Sequence, residues 1–150
     1  MLEEPPAFAR GNRRRRGRRG EGIRYEARVQ EYLLELYPEE YVPGPWLEFQ
    51  AIGEKKPRYC QPDGLLFQPK QGTLTVVEVK LQHTSDAWWQ LRWLYLPVVA
   101  GAFPPDLWDY RLVEVTKWYD PATAFPEPVQ LCASLGNAAP GRFGVHIWSP

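Results

Sequence analysis

The most informative stretch of the sequence is TLTVVEVKL, residues 73–81. Its aliphatic and β-branched residues favour a central β-strand, yet it contains an acid and a lysine, Glu78 and Lys80. Because side chains alternate across a strand, these two share one face with Leu74 and Val76. Burial of either charge without a partner or a metal ion has a high free-energy cost. The stretch therefore predicts a functional site on that face.

A third charged residue, Asp63, joins that face through a predicted β-hairpin. The preceding run Arg58–Phe67 also favours a strand, and the turn-rich connector PKQG links it to the stretch just described. Depending on which two connector residues form the turn, Asp63 falls opposite Glu78 or opposite Lys80. Opposed residues of an antiparallel pair point the same way, so either register places the three charged side chains together.

A first helix is predicted from Gly22 to about Tyr37, where Pro38 ends it. Its polar face consists of Arg24, Arg28, Glu31 and Glu35, and its apolar side of Ile23, Ala27, Val29, Leu33, Leu34 and Leu36. Glu26 departs from this division, because it shares a row with Val29 and Leu33 on the side that should be buried. An acid that points inward is the natural third carboxylate of the site.

The remaining elements complete an α/β pattern. Further strands are predicted at Leu47–Ile52, Tyr110–Lys117 and Phe143–Trp148. A second helix is predicted after the capping-type cluster at residues 84–86, with an end or a kink near Leu96 because Pro97 follows. Together these elements predict a central mixed sheet flanked by helices, and the chain beyond Tyr119 is otherwise not assigned.

The acids suit a divalent metal ion. Mg²⁺ and Mn²⁺ prefer oxygen ligands, and Mg²⁺ commonly uses one or two carboxylates together with waters and substrate phosphate. Asp63 and Glu78 supply such a pair from neighbouring strands, and Glu26 supplies a third acid, directly or through water. Lys80 is then expected to orient a nucleophilic water or to stabilise charge on a phosphate group.

These residues resemble the signature of the PD-(D/E)XK nucleases. Pro62-Asp63 and Glu78-Val79-Lys80 match its acidic and lysine positions, and GIRYEARVQEYL, which contains Glu26, is similar to the family's first helix. The order helix, three strands, helix, strand over roughly residues 21–118 resembles the family's restriction-endonuclease-like αβββαβ core. The resemblance implies an Mg²⁺- or Mn²⁺-dependent DNA nuclease that hydrolyses phosphodiester bonds.

The same resemblance assigns a role to each site residue. It implies three metal-ligating acids, Glu26, Asp63 and Glu78. It also implies that Lys80 is the catalytic lysine. His83, three residues after that lysine, and Gln90 on the second helix are further candidates for contact with the substrate.

Two branches of the superfamily remain open. The short single domain, the GxxxE helix start and the EVK strand are similar to archaeal-type Holliday junction resolvases, which act as dimers on four-way DNA junctions. The QPDG segment and Gln90 are instead similar to RecB-type and lambda-type exonucleases, whose helix carries Q-x-x-x-Y; here Gln90 and Tyr95 are five residues apart rather than four. We therefore expect duplex or branched DNA as the partner, with a homodimer under the first alternative.

The net charge of zero conceals a basic N-terminal arm. Residues 1–20 contain seven arginines and two glutamates, a net charge of +5, whereas residues 21–150 contain 11 basic and 16 acidic residues, a net charge of −5. The segment RGNRRRRGRRG is predicted to be disordered and to contact DNA phosphates without sequence preference. Its candidate DNA-binding residues are Arg13, Arg14, Arg15, Arg16, Arg18 and Arg19. The alternatives are a solvated tail, or a non-catalytic nucleic-acid-binding module in which the arm matters and the acids are structural.

Composition narrows the remaining classes of protein. With 150 residues, the chain suits one domain at residues 21–150 that follows the arm. Two cysteines, Cys60 and Cys132, are too few for a disulfide scaffold or for the four-cysteine iron–sulfur site of Cas4-like relatives. No apolar run approaches the length of a membrane span, so we expect a cytoplasmic location without membrane contact.

Tryptophans crowd the second helix at Trp88, Trp89 and Trp93. A helix that is apolar all round is typical of a buried core element. For its exposed side, a subunit interface is an equally weighted alternative, because aromatic residues are enriched at interfaces. Stacking of nucleic-acid bases is a third, less favoured interpretation.

Overall fold

The computed structural model describes residues 1–9 and 18–150. The described residues form a six-stranded mixed sheet and a separate two-stranded hairpin, with helices packed on both faces of the sheet. The strands are β1 (Tyr41–Pro43), β2 (Leu47–Phe49), β3 (Arg58–Cys60), β4 (Gly64–Gln68), β5 (Thr73–Gln82), β6 (Asp109–Trp118), β7 (Val129–Leu131) and β8 (Phe143–Ile147). The longer helices are α1 (Arg18–Leu36), α2 (Ser85–Trp89) and α3 (Leu96–Ala102), with a π-helical segment at Gln90–Tyr95 between α2 and α3.

The large sheet has the order β1-β4-β5-β6-β8-β7. β4 is antiparallel to both of its neighbours, whereas β5–β6, β6–β8 and β7–β8 are parallel pairs. The helical residues 85–102 connect β5 to the parallel β6, as a crossover between parallel strands requires. The predicted α/β class, with a mixed sheet flanked by helices, is therefore confirmed.

β5 is the central strand that the sequence predicts. Its side chains are buried over most of its length, and β4 pairs with it so that Gly64 faces Val77. One step further along, this register sets Asp63 opposite Glu78, which is the first of the two predicted arrangements. The connector at residues 69–72 forms a four-residue turn between the two strands.

The predicted strand Arg58–Phe67 is wrong as a single element, because the chain changes partner in its middle. β3 pairs with β2 as a separate hairpin, and β4 pairs with β1 and β5 in the large sheet. Pro62 lies at the break, where its missing N–H prevents a continuous ladder. The predicted strand Leu47–Ile52 contributes only β2 to the hairpin, and the sheet gains β1, which was not predicted.

α1 begins at Arg18, before the predicted start at Gly22. The buried stripe of this helix consists of Tyr25, Val29 and Leu33. Four side chains that were predicted to be apolar and inward are exposed, namely Ile23, Ala27, Leu34 and Leu36. Residues four apart stand above one another, so the sheet covers a single narrow row and leaves the flanking aliphatic residues in solvent. The predicted polar face is exposed, as expected.

Part of the predicted arm packs on the domain. The Leu2 N–H donates to the Trp46 carbonyl at 2.8 Å, and the Phe8 ring lies 5.7 Å from the Trp46 ring and 5.8 Å from the Tyr59 ring. Residues 18–20 belong to α1. Residues 1–9 of the arm therefore contact the domain and residues 18–20 continue into α1, while residues 10–17 fall outside the described residues.

The second helix does not end near Leu96, because α3 continues through Pro97 to Ala102. The π-helical segment accounts for this difference. Within it the Leu96 N–H donates to the carbonyl of Leu91, five residues back. A π-helical turn interrupts the usual pattern of α-helical hydrogen bonds, so a proline without an N–H is accommodated just after it.

Two apolar layers cover the large sheet. On one face α1 packs against Val77 and Val79, and on the other the helical residues 85–102 pack against Leu74 and Val76. β8 confirms the predicted strand Phe143–Trp148 apart from its last residue. Nowhere in residues 1–9 and 18–150 does a helix combine the length and the apolar character that crossing a membrane demands.

Candidate active site

The backbone of Asp63 is fixed by α1 and β1. Gln30 donates its side-chain N–H to the Asp63 carbonyl at 2.8 Å, and Tyr41 donates its hydroxyl to the Gln30 side-chain oxygen at 2.5 Å. Gly64 allows this close approach, because a Cβ there would stand 2.1 Å from the Tyr41 hydroxyl oxygen. Gln30, Tyr41 and Gly64 are therefore positioning residues that the sequence analysis missed.

The Asp63 carboxylate points to β5. Its Oδ2 accepts the backbone N–H of Val79 at 2.6 Å. Hydrogen bonds to an ionised acceptor are shorter and stronger than neutral ones, so this contact holds the side chain in place. Because Val79 lies between Glu78 and Lys80 in the chain, Asp63 is brought beside both, as the predicted hairpin requires.

Glu78 and Lys80 form an ion pair near the end of β5, with 3.2 Å between Lys80 Nζ and Glu78 Oε1. The Glu78 side chain is only 5% exposed, whereas that of Lys80 is 25% exposed. The other carboxylate oxygen, Glu78 Oε2, is buried and has no hydrogen-bond partner among the described residues. A buried carboxylate oxygen without a donor is costly unless a cation completes its surroundings.

The carboxyl groups of Glu26, Asp63 and Glu78 are close enough to perturb one another. Burial raises the pKa of Glu26 to about 7, and the Asp63 charge adds to the rise. Burial and, to a smaller extent, the charge of Glu78 raise the pKa of Asp63 to about 7. The Val79 N–H and the charge of Lys80 oppose this rise. Burial raises the pKa of Glu78 to about 7 against the lowering effect of Lys80. Three acids that repel one another form a place that a cation would stabilise.

The side chains present fit a hard cation held by two carboxylates. Among residues 1–9 and 18–150, no group of three or more His, Cys, Asp or Glu side chains is arranged to hold a metal ion. Asp63 and Glu78 nevertheless offer two neighbouring carboxylates, and Glu78 Oε2 is a buried oxygen in need of a partner. Mg²⁺ typically takes one or two carboxylates and completes its shell with water and substrate.

His83 is buried rather than exposed to a substrate, so the structure gives no support to its predicted substrate contact. Its side chain is 1% exposed, and its Nδ1 lies 2.5 Å from Glu114 Oε2. Its ring also stacks on Phe125, with 4.9 Å between the ring centroids. Burial lowers the pKa of His83 and raises that of Glu114 to about 8, so both changes favour the neutral form of this pair.

Glu114 is an acid beside the site that the sequence analysis missed. β6 runs parallel to β5 and pairs Glu114 with Glu78, so both side chains project from the same face of the sheet. Glu114 is fully buried, and its Oε1 has no hydrogen-bond partner within the part of the chain that the structure describes. The signal was an acid inside the apolar run LVEVT, which is the same anomaly that identified β5.

Gln90 and Tyr95 are the first and last residues of the π-helical segment. In a π-helix residue i bonds to residue i+5, so these two stand above one another as residues four apart do in an α-helix. The Tyr95 side chain is buried and lies near the acids. Its burial and then the charge of Glu78 raise its pKa. The Gln90 side-chain oxygen is buried without a hydrogen-bond partner in the described chain, so Gln90 stays a candidate for substrate contact.

The candidate DNA-binding arginines are mostly not described. Arg13, Arg14, Arg15 and Arg16 lie outside the described residues. Arg18 and Arg19 form the start of α1, and only their backbone is described. Contact between the arm and DNA therefore stays a prediction.

The tryptophans of the second helix do not share one environment. Trp88 is half-buried and donates its indole N–H to the Glu127 carboxylate. Trp89 and Trp93 are 56% and 62% exposed, so core packing describes Trp88 but not these two. Cys60 and Cys132 are both buried and unpaired in disulfides, in agreement with a structural role.

Comparisons with protein-family models, curated proteins and solved structures find no match for this chain. The case for a function therefore depends on the geometry of the site. That geometry brings Glu26, Asp63, Glu78 and Lys80 together, buries Tyr95 near the same acids, and pairs the buried His83 with Glu114.

Proposed function

We propose that this protein is a metal-dependent DNA nuclease that hydrolyses phosphodiester bonds. The observation that carries the proposal is the convergence of Asp63, Glu78 and Lys80 at the end of the central strand, with Glu26 reaching them from α1. Two carboxylates, one of them with a buried and unsatisfied oxygen, beside a partly exposed lysine suit an ion and a phosphate group better than they suit a packed core.

The topology supports a restriction-endonuclease-like core. Apart from the β2–β3 hairpin, the elements follow in the order α1, β1, β4, β5, helix, β6, and β1-β4-β5-β6 are adjacent in the sheet. This order is compatible with the αβββαβ core that the sequence resemblance implies, and it supports the proposal in that sense. The β2–β3 hairpin is then an insertion between the first and second core strands.

Each site residue has a distinct proposed role. Asp63 and Glu78 would hold Mg²⁺ or Mn²⁺, and Glu26 would serve as the third acid. The metal ion, when bound, polarises the phosphodiester and lowers the pKa of a coordinated water. Lys80 keeps its ammonium group beside the acids, where it orients a water molecule and stabilises the negative charge that grows on the phosphate oxygens.

The substrate is proposed to be DNA, duplex or branched, with a structure-specific endonuclease such as a Holliday junction resolvase as the leading alternative. The arginine-rich arm would attract the polyanion that the acidic remainder of the chain repels. A homodimer is the assembly proposed with that alternative, because the resolvases it resembles act as dimers.

One observation favours an exonuclease of the RecB or lambda type as the second candidate. That group carries Q-x-x-x-Y on the helix, and here Gln90 and Tyr95 are one residue too far apart for an α-helix. The π-helical segment places them on the same side, with Tyr95 next to the acids. The extra residue in the sequence is thus compensated by the wider helical turn.

A cleavage assay tests the proposal. Labelled linear, nicked, single-stranded and four-way-junction DNA are incubated with Mg²⁺, Mn²⁺ or EDTA. We expect Asp63→Asn and Lys80→Ala to lower the cleavage rate by at least about 100-fold while DNA binding is retained. Asp63→Asn is informative because an asparagine oxygen can still accept the Val79 N–H. The substitution therefore removes the negative charge and keeps the local hydrogen bond.

A matched pair on α1 provides the control. Glu26→Gln should lower the cleavage rate, whereas Glu31→Gln, the same change at an exposed position of the same helix, should leave it unaltered. Retained DNA binding without any metal-dependent product from clean wild-type protein would favour the non-catalytic binding module instead.

A further inference from the structure

A groove of about 800 Å³ lies between the β2–β3 hairpin and the helix that carries the tryptophans. Its walls include Gln50, Arg58 and Tyr59 from the hairpin and Trp93, Leu94 and Val98 from the helix. This size is typical of clefts that bind ligands, and the lining combines aromatic, aliphatic and polar groups. None of the proposed metal-site acids lines it, so the groove is a surface separate from the metal site.

Two exposed aromatic rings, Trp93 and Tyr59, line this groove, and a third, Trp89, lies outside its walls next to Trp93. Trp93 is 62% exposed and Tyr59 is 36% exposed. Trp89 precedes Trp93 by one turn, is 56% exposed, and lies 6.3 Å from it between ring centroids at an interplanar angle of 33°. Single exposed aromatic residues need no explanation, but a contiguous set marks a binding surface, and successive nucleobases stack on rings arranged in this way.

The hairpin wall also carries cations. The Arg58 side chain is 61% exposed and lies 3.7 Å from Glu54, in a surface ion pair that contributes little and is readily exchanged for a phosphate group. Lys55 and Lys56 are exposed in the loop that precedes β3. The hairpin therefore carries three cations and two acids, Glu48 and Glu54, and of these five charged residues Arg58 and Glu48 line the groove.

Both walls of the groove lead to the acids. β3 ends at Cys60, and Asp63 follows after two residues. The helix wall continues from Trp93 and Leu94 directly to Tyr95, whose pKa is raised by the charges of Glu78 and Asp63 after burial. A strand that lay in the groove would therefore be directed toward the proposed site.

We propose that this groove binds a single-stranded segment of DNA and directs it to the proposed metal site, an inference that rests on the proposed nuclease function. Bases stack on Trp93, Tyr59 and Trp89, while Arg58 and the hairpin lysines contact phosphates. In a duplex the faces of the bases are covered by their neighbours, so only unpaired bases can use these rings. The substrate class is thus single-stranded DNA, either free or as an unpaired part of a branched molecule.

Binding is measured with the full chain in EDTA, so that no cleavage takes place. The probe is a fluorescein-labelled oligo(dT) of about 16 nucleotides, followed by anisotropy and by quenching of tryptophan fluorescence. We expect Trp93→Leu and Tyr59→Leu each to weaken binding by about tenfold, and Trp93→Phe to retain most of it, because stacking needs an aromatic face. The matched control is Trp118→Leu, since Trp118 is 58% exposed but does not line the groove.

Two results would overturn the groove assignment. One is unchanged oligo(dT) affinity in Trp93→Leu with circular dichroism equal to that of the wild type. The other is a wild-type dimer in sedimentation analysis that Trp93→Leu dissociates, since the groove would then be occupied by a second copy of the chain.

The failure of the groove and the failure of the nuclease proposal are distinguishable. If Asp63→Asn abolishes cleavage while Trp93→Leu changes neither the cleavage rate nor the oligo(dT) affinity, the nuclease proposal stands and the groove assignment is rejected. Binding that depends on Trp93 without cleavage of any substrate would keep the groove and reject the enzyme.

Discussion

The side chain of Asp63 accepts the backbone N–H of Val79 at 2.6 Å, which ties the end of the β2–β3 hairpin to the central strand. This bond starts one residue before β4 begins to pair with β5. A side-chain oxygen thereby takes over from a backbone carbonyl as the partner of the β5 backbone. The consequence is that the carboxylate stands beside Glu78, while Gln30 holds the backbone of the same residue through its carbonyl.

Gly64→Ala should destabilise the protein and displace Asp63. The new Cβ would stand 2.1 Å from the Tyr41 hydroxyl oxygen and 2.4 Å from the ring carbon that bears it, so β1 or the Asp63 segment must move. We expect a loss of about 1–3 kcal/mol in the free energy of unfolding, measured by urea denaturation, together with slower cleavage.

Gly101→Ala is the matched control for that substitution. A Cβ at Gly101 meets no atom within 4 Å, and the residue lies in α3. Alanine there should stabilise the helix by about 0.5–1 kcal/mol. Equal stability of the two variants would contradict the packing described around Tyr41.

The metal-free protein should lose stability as the pH rises through about 7. The pKa values of Glu26, Asp63 and Glu78 are each raised to about 7 in the folded state, above the ordinary values of unfolded carboxyl groups near 4. The folded state therefore binds more protons, and the stability that these groups contribute is fully present below about pH 4 and is lost toward pH 8. Thermal denaturation in EDTA between pH 5 and pH 8 measures this, and the melting temperature should fall as the pH rises.

Mg²⁺ should offset that loss, because it stabilises the ionised acids. Its stabilising effect should be larger near pH 8 than near pH 5, where protons compete with the metal ion. Glu78→Gln should flatten the pH dependence in EDTA and weaken the response to Mg²⁺. A melting temperature that rises with pH in EDTA would show that the acids are not crowded in the folded protein.

Glu114→Gln should be tolerated, whereas His83→Ala should not. The pKa shifts favour the neutral form of this buried pair, and a glutamine amide can donate to His83 Nδ1 as a protonated carboxyl does. We expect a change of less than about 1 kcal/mol for Glu114→Gln and a loss of about 2–4 kcal/mol for His83→Ala, which leaves Glu114 buried without its partner. Chemical denaturation of both variants at pH 7 tests the assignment, and equal losses would contradict it.

Deletion of Leu94 should convert the π-helical segment to an ordinary α-helix and leave the fold intact. A π-helical turn holds one residue more than an α-helical turn, and the side chain of Leu94 is 39% exposed. We expect far-ultraviolet circular dichroism to be retained. Deletion of Val98 within α3 is the control. It would rotate the rest of that helix relative to the sheet, so we expect this variant to unfold. Retained structure in both deletion variants would contradict the role given to the π-helical segment.

Some of the fold could be predicted from the sequence because strand geometry has a fixed period of two. That period placed Glu78 and Lys80 on one face and, through the hairpin, set Asp63 beside them. The break at Pro62 did not disturb this, since the register depends on the four residues of the turn and not on the earlier part of the run. Here local rules were sufficient.

Other parts depend on contacts between distant segments, which a sequence pattern does not encode. Glu114 becomes a neighbour of Glu78 only through parallel pairing after a long crossover. Gln30 of α1 donates directly to the Asp63 carbonyl, and Gln30 accepts in turn from Tyr41 in β1, a strand of three residues with no alternating pattern to detect. The inward position of Ile23 was mispredicted because the width of the buried stripe on α1 is set by the sheet beneath it and not by the helix.

The short span between the hairpin and the acid has a mechanical consequence. Only Gln61 and Pro62 separate the last residue of β3 from Asp63. The Gln61 side chain is bonded to the Gly44 carbonyl and the Asp63 side chain to the Val79 N–H, so this short segment has no slack. Displacing the hairpin by a few ångströms would therefore drag the carboxylate out of reach of Glu78. A ligand that shifts the hairpin would thus also shift the carboxylate on which the proposed metal site depends.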